Sequence, residues 1–187
     1  GRAAMRVVNE AAYERATPAA AAAAEIDRLR GRVLRELARE RPGRHDVKFG
    51  RGALAELQLT VGLLQLVHGH DQRVRTTRTE RAIAALGASG VLAAEQTQTL
   101  QQAHELLRRL EQRMRVVHGD DTHLLQQGAP GLGPLARRMG LRGRPAHEAA
   151  AELVRSYRDT TERVHRCYQQ IVGSLLPVST LGRGNGA

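Results

Sequence analysis

The sequence predicts an all-α fold, a helical bundle of about five to seven helices. Its core must be mainly aliphatic, because hydrophobic residues make up 41% of the 187 residues and aromatic residues only 2%. Strands draw more heavily on aromatic and β-branched side chains. Apolar residues recur at spacings of three and four through most of the chain, as on one face of a helix. We find no credible sheet, only a short extended segment and a glycine turn near residues 46–52.

Length and composition limit the classes of protein. The chain is expected to form one domain. Its lone cysteine, Cys167, excludes an intrachain disulfide. No apolar run approaches the roughly 20 residues that span a membrane, and no signal-peptide pattern is visible, so a cytoplasmic location is expected.

The formal net charge is +10, and Lys48 is the only lysine among 29 basic residues. An arginine-rich surface suits phosphate or carboxylate contacts. It equally fits a basic, solvated surface produced by a compositional bias toward Arg and Ala, so a partner surface stays an open alternative. Nucleic acid is the weaker candidate partner, because aromatic side chains for base stacking are nearly absent.

Residues 1–45 are predicted to form approach helices. The first would cover residues 3–16. A second would begin at Thr17 as N-cap with Pro18 in the first turn and end near Glu40. Its apolar stripe would comprise Ile26, Leu29, Val33 and Leu37. Arg41-Pro42-Gly43 ends it.

The segment from His45 to Glu56 connects these helices to the bundle. Residues 46–49 alternate between polar and apolar, as in a short extended segment, and Gly50 and Gly52 permit a tight turn. A strongly apolar helix should then run over residues 53–67 as the central helix of the domain. Its predicted buried residues include Leu54, Leu57, Val61, Leu64 and Leu66.

Residues 46–176 are predicted to form the bundle, as a single domain with residues 1–45. A capping box from Thr77 to Glu80 opens a short helix. Longer apolar patterns predict helices over residues 93–117 and 146–175, with a short one over 134–139 between them. Gly119-Asp120-Asp121 should end the first of these, and residues 177–187 are expected to be a flexible tail.

The chain offers no catalytic constellation. His68 and His70 are two residues apart, which does not place both on one helix face, and no HExxH element exists, so we predict no metal site. Cys167 stands at an unfavourable spacing from His165 for nucleophilic chemistry and is interpreted as a small core residue.

The Gly50-Arg51-Gly52 turn allows two interpretations. No P-loop is present, yet the turn precedes a helix N-terminus, where free amides and the helix dipole favour anions. Lys48 and Arg51 would add positive charge there. The alternative is a plain strand–turn–helix corner that binds nothing.

Several motifs in order carry a family resemblance. Asp46, Lys48, Gly50, Gly52 and Glu56 match an Asp-hydrophobic-Lys-hydrophobic-Gly-x-Gly-Gly pattern followed by acidic residues. Later matches are Leu64-Gln65-Leu66-Val67-His68-Gly69, the stretch from Thr79 to Leu92, the run from Leu106 to Met114, His123-Leu124-Leu125 and the run from Leu135 to Gly140. Over residues 25–172 the chain resembles the helical domain of the bifunctional glutamine synthetase adenylyltransferase/adenylyl-removing enzyme. The uridylyltransferase of the PII signalling protein resembles it less, because it lacks two of these runs.

The resemblance implies a function in nitrogen regulation. In that family, AMP passes from ATP to glutamine synthetase or is removed again, with Mg²⁺ held by a Gly-Ser-Asp-x-Asp motif. That motif is absent from these 187 residues. The resemblance therefore implies an adjoining nucleotidyltransferase domain upstream, Mg²⁺ and ATP bound there, and no catalysis or cofactor in this chain alone.

The resemblance also implies roles for the junction. Lys48 and Arg51 would face nucleotide phosphates or an acidic partner surface, Asp46 would order Lys48, and Gly50, Gly52 and Glu56 would complete the contact. The bundle would dock glutamine synthetase or the PII protein. Departures from the family pattern at Ala53, Gln58, Leu59 and Gly62 suggest an alternative, a non-catalytic interaction module that diverged from the family.

Overall fold

Six α-helices and one small sheet make up the described chain, which in this computed structural model covers residues 18–118 and 123–176. The helices are α1 (Ala19–Glu36), α2 (Leu54–Val67), α3 (Thr79–Ala88), α4 (Ala94–His118), α5 (Leu132–Arg138) and α6 (Ala146–Leu175). A 3₁₀ turn at Gln72–Val74 joins α2 to α3. The all-α prediction is confirmed. The predicted first helix, the Gly119-Asp120-Asp121 break and the predicted tail lie outside the described residues.

The sheet has two antiparallel strands, β1 (Arg44–Asp46) and β2 (Leu124–Gln126). His45 pairs with Leu125, and Asp46 pairs with Leu124. No sheet was predicted, and the extended segment was predicted at residues 46–49; β1 instead ends at Asp46, and the chain turns over residues 47–49. Strands of three residues are too short to show an alternating pattern, and their pairing joins segments about 80 residues apart, so local patterns carried no sign of it.

The apolar helix α2 and the amphipathic helix α6 hold the bundle together. α6 packs against α1, α2, α4 and α5, while α2 packs against α1, α3, α4 and α6. The predicted central position of α2 therefore holds, shared with α6. Leu66 of α2 was predicted to be buried, and this prediction is wrong, because the residue is 39% exposed. The core is aliphatic apart from Tyr157 and Tyr168 of α6.

α1 is shorter than predicted and ends at Glu36, so Leu37 is exposed. The next residues serve the junction instead of the helix. The amide of Arg39 donates to the carboxylate of Asp46, and the carboxylate of Glu40 accepts from the amide of Arg51. Pro18 was predicted in the first turn of α1 and is instead its N-cap residue, so the helix begins at Ala19, one residue later than predicted.

Two other helix starts differ from the prediction. The N-cap of α3 is Arg78, without a side-chain cap, so the capping box from Thr77 to Glu80 does not form. α5 begins at Leu132, two residues before Pro134. α6, by contrast, covers the predicted residues. None of the helices in the described ranges is both long and apolar enough to cross a membrane.

Candidate functional site

Asp46 organises the junction between β1 and α2. Its side chain is fully buried, and Oδ1 accepts from the backbone amides of Lys48 at 3.0 Å and Phe49 at 2.8 Å. Oδ2 accepts from the amide of Arg39 at 3.1 Å and lies 3.5 Å from Nε2 of His123. Asp46 therefore orders the backbone of the turn. The resemblance implied that Asp46 orders Lys48, and the contact observed is a hydrogen bond from the backbone amide of Lys48.

The Lys48 side chain packs along the outside of the turn. Its ammonium lies 4.9 Å from the centre of the Phe49 ring, a cation–π distance. Phe49 in turn meets the ring of His123 edge to face. Among the described residues, no carboxylate lies within ion-pair distance of the Lys48 ammonium. This ammonium is thus available to an anion.

Arg51 is tied to α6. Its guanidinium lies 2.8 Å from Glu162, and each side chain is about half exposed. The hydrogen bond from Arg51 holds the pKa of Glu162 below its ordinary value. An exposed pair of this kind contributes little stability, about 0–1 kcal/mol. Arg51 can therefore exchange Glu162 for another anion at small cost.

Seven backbone amides of the turn and the start of α2 already have acceptors within the chain. Hydrogen bonds within the chain engage the amides of Gly50, Ala53, Leu54 and Ala55, whose acceptors are the carbonyl oxygens of Asp46, Gly50, Val47 and Lys48. The amides of Lys48, Phe49 and Arg51 go to carboxylates. A phosphate cradle needs such amides free. The geometry is that of a strand–turn–helix corner, at which the side chains of Lys48 and Arg51 are the cationic groups that could contact an anion.

Gly50 and Gly52 are required by packing. A Cβ on Gly50 would lie 2.5 Å from the carbonyl oxygen of Asp46 and from the carboxylate of Glu40. Gly52 has φ +68°, and a Cβ there would lie 1.9 Å from the carbonyl oxygen of Thr161 in α6. Both glycines let the turn approach its neighbours closely. Their spacing needs no bound phosphate to explain it.

Glu56 is buried inside the bundle, whereas Lys48 and Arg51 lie at the protein surface. It is 3% exposed, and its two oxygens face Nε of Arg30 and Nδ1 of His165, each at 2.7 Å. Arg30, Glu56 and His165, here the buried ionic cluster, join α1, α2 and α6. Nothing in the sequence indicated that Arg30 and His165 meet Glu56. The position of His165 next to Val164 in the apolar stripe of α6 was the available signal for its burial.

The hydrogen-bond roles in the buried ionic cluster follow from the carboxylate. An ionised carboxylate only accepts, so Nδ1 of His165 must carry the proton it shares with Glu56. Nη2 of Arg30 also lies 3.3 Å from Nδ1 of His165, a longer distance than the 2.7 Å from its Nε to Glu56. Tyr168 covers the cluster: its ring stacks on His165, lies 4.9 Å from the Arg30 guanidinium, and its hydroxyl donates to Asp27. Burial raises the pKa of Tyr168, and so does the bond to Asp27.

The remaining candidates do not form a reactive site. Within residues 18–118 and 123–176, no group of three or more His, Cys, Asp or Glu side chains is placed to hold a metal ion. Burial lowers the pKa of His68, and the neighbouring His70 lowers it further. Cys167 is buried, as predicted, and burial raises the pKa of its thiol.

The fold and the corner define a helical domain entered through a strand–turn–helix junction, with no catalytic constellation in its described part. The chain belongs to the GlnD PII-uridylyltransferase family, whose model matches residues 21–172. This family model carries the name of the uridylyltransferase, which the motifs resemble less; together with the relatives described next it confirms the resemblance to the adenylyltransferase.

The curated relatives described here carry the name of the adenylyltransferase and not that of the uridylyltransferase. The chain is 35% identical over 148 residues to the bifunctional glutamine synthetase adenylyltransferase/adenylyl-removing enzyme of Cutibacterium acnes, covering 79% of this chain and 14% of that protein. The enzyme of the same name from Mycobacterium leprae is 33% identical over 164 residues, covering 83% and 16%. That from Mycobacterium marinum is 31% identical over 171 residues, covering 87% and 17%. The chain thus spans less than a fifth of these relatives.

Proposed function

We propose that the chain is the helical domain that follows a nucleotidyltransferase domain in a glutamine synthetase adenylyltransferase-like protein, and that it forms one wall of that domain's cleft. The family match and the names of the relatives support this proposal. The neighbouring domain would hold ATP and Mg²⁺ and transfer AMP to glutamine synthetase or remove it. This chain would supply docking surface for glutamine synthetase or the PII protein.

One observation carries the proposal. The corner at residues 46–52 is fixed by buried contacts of Asp46 and Gly52, yet it carries an unpaired ammonium at Lys48 and a weakly paired guanidinium at Arg51. Both stand beside the N-terminus of α2, where the helix dipole adds positive potential. A rigid corner with two cations suits contact with nucleotide phosphates or acidic side chains.

The test uses the full-length protein that contains this chain. Lys48→Met and Arg51→Gln together should lower the rate of AMP transfer to glutamine synthetase, or the affinity for ATP, by about tenfold or more, as expected for lost charged hydrogen bonds. Arg81→Gln, an exposed arginine of α3, is the control and should change neither quantity. Unchanged rate and unchanged ATP affinity in the double variant would refute the role of the corner.

The alternative is a non-catalytic interaction module. Its support is the set of departures along α2: Gln58 is exposed, and Gly62 leaves open space where a side chain would stand. The encoding gene separates the two proposals. A Gly-Ser-Asp-x-Asp motif in the preceding few hundred codons favours the enzyme domain, while a gene without it favours the module.

A further inference from the structure

An apolar cleft of about 390 Å³ lies between the loop after β2 and the first half of α6. Its apolar lining includes Pro130, Leu132, Pro134, Ala150, Ala151 and Val154, and none of its lining residues is Asp, Glu, Lys or Arg. The floor is tight, because a Cβ on Gly133 would lie 3.0 Å from Cβ of Ala146. Helix α5 and helix α6 therefore form two fixed walls.

The part of the chain that leads from the α5 wall of this cleft to its α6 wall is basic, and its arginines are here called the rim. Arg137 and Arg138 follow Pro134 by three and four residues. They therefore lie on the same face of α5 as Pro134, one helical turn further along. Arg142 and Arg144 follow in the loop to α6, and all four arginines are exposed. The sequence contains no Asp or Glu from His123 to His147.

Nearby carboxylates do not neutralise this rim. Glu152 of α6 pairs with Arg155 and lies 4.0 Å from Arg144. Glu148 lies 4.0 Å from His147. In the described part of the chain, Arg137, Arg138 and Arg142 have no ion-pair partner. Within the described residues, three guanidinium groups thus have no carboxylate partner and lie along the chain next to a mainly apolar cleft.

We propose that the cleft docks an acidic segment of a partner protein, which inserts an apolar side chain between α5 and α6 while its carboxylates bind Arg137, Arg138 and Arg142. Guanidinium groups bind carboxylates in bidentate fashion. A second copy of this chain fits less well, because its net charge of +10 would repel the rim. Nucleic acid fits less well too, since the cleft has no aromatic side chain on which a base could stack. This surface is separate from the corner at residues 46–52, and the proposal does not depend on the function proposed above.

The test measures binding of a short fluorescein-labelled peptide, made of Asp and Glu around one leucine, to the 187-residue chain by fluorescence anisotropy. The triple variant Arg137→Gln/Arg138→Gln/Arg142→Gln should weaken binding by about tenfold or more, because it removes charged contacts. Ala151→Gln, at an exposed wall position, should also weaken binding by filling the cleft. A peptide with serine in place of leucine should bind at least about fivefold more weakly than the leucine peptide, having lost its apolar anchor.

The matched control removes the same charge elsewhere. Arg32→Gln/Arg35→Gln/Arg81→Gln replaces three exposed arginines of α1 and α3 and should change binding by less than about twofold, because distant exposed charges are screened. Circular dichroism confirms that each variant is folded. The proposal would be overturned if the acidic peptide showed no measurable binding, if the control triple variant weakened binding as much as the rim variant, or if the serine peptide bound as well as the leucine peptide. It would also be overturned if a single-stranded oligonucleotide bound more tightly than the peptide and the rim variant abolished that binding. Self-association that blocks the cleft, seen by analytical ultracentrifugation, would overturn it as well.

Discussion

Gly52 and the carbonyl oxygen of Thr161 are in such close approach that the turn before α2 rests directly on the backbone of α6. A Cβ built on Gly52 would lie 1.9 Å from that oxygen, and the residue has φ +68°. These residues are 109 positions apart in the chain. The contact ties the corner that carries Lys48 and Arg51 to the longest helix of the bundle.

Gly52→Ala should therefore destabilise the protein by about 2–4 kcal/mol, since it combines a left-handed backbone with a clash against main chain. Gly62→Ala is the control: this glycine lies inside α2 with nothing within 4 Å of the added carbon. Alanine there should stabilise by about 0.5–1 kcal/mol through its helix propensity. Urea unfolding of both variants measures the difference, and equal effects would contradict the close approach.

Glu56→Gln should destabilise the protein by about 3–5 kcal/mol, because it leaves Arg30 without its buried counter-charge. Glu162→Gln removes the same charge from the exposed pair with Arg51, and should cost less than about 1 kcal/mol. Thermal and urea unfolding compare the two variants. Similar losses would mean that the buried ionic cluster is not the stronger tie.

Asp46 should tolerate asparagine better than alanine. Asparagine keeps an oxygen for the amides of Lys48 and Phe49 and loses the bond from Arg39 and the 3.5 Å contact with His123, for about 1–2 kcal/mol. Alanine leaves three amides without their acceptor and should cost about 3 kcal/mol or more. Chemical denaturation ranks the two, and hydrogen exchange of the three amides identifies the lost bonds. Equal losses would show that the charge of Asp46 matters more than its oxygens.

Cys167 should react slowly with iodoacetamide in the folded protein. Its side chain is 7% exposed, and burial raises the pKa of the thiol, so less thiolate is present at a given pH than in the unfolded chain. The labelling rate should keep rising with pH after the rate of the urea-unfolded chain has levelled off. Mass spectrometry follows both reactions. Coinciding pH profiles would contradict a buried thiol.

Local patterns identified the helices well where an apolar stripe was long. α6 and α4 follow spacings of three and four that a packed helix requires, and their bounds agree with the prediction to within one residue at each end. The start of α3 was misplaced, because Thr77 has the spacing of a capping box while the backbone begins its helix at Thr79. Such ends depend on contacts beyond the local sequence.

The sequence singled out the residues of the candidate site, but it did not show which of them are buried and which contacts they make. Lys48 and Arg51 stood out by charge beside a glycine turn, and their partner contact stays a prediction. Glu56 shared their motif, yet its helical position turns it inward to Arg30 and His165. No spacing rule could link residues 26 and 109 positions away from it.

By itself the sequence determined the helical class, the aliphatic core and the family, because periodicity, composition and ordered motifs are properties of the chain read locally. Only the tertiary structure decided which charges are buried and which face solvent. It paired β1 with β2, set Gly52 against Thr161 and enclosed Glu56 between two cationic partners. These contacts join distant segments, and the cost of desolvating a charge depends on the neighbours that folding brings to it.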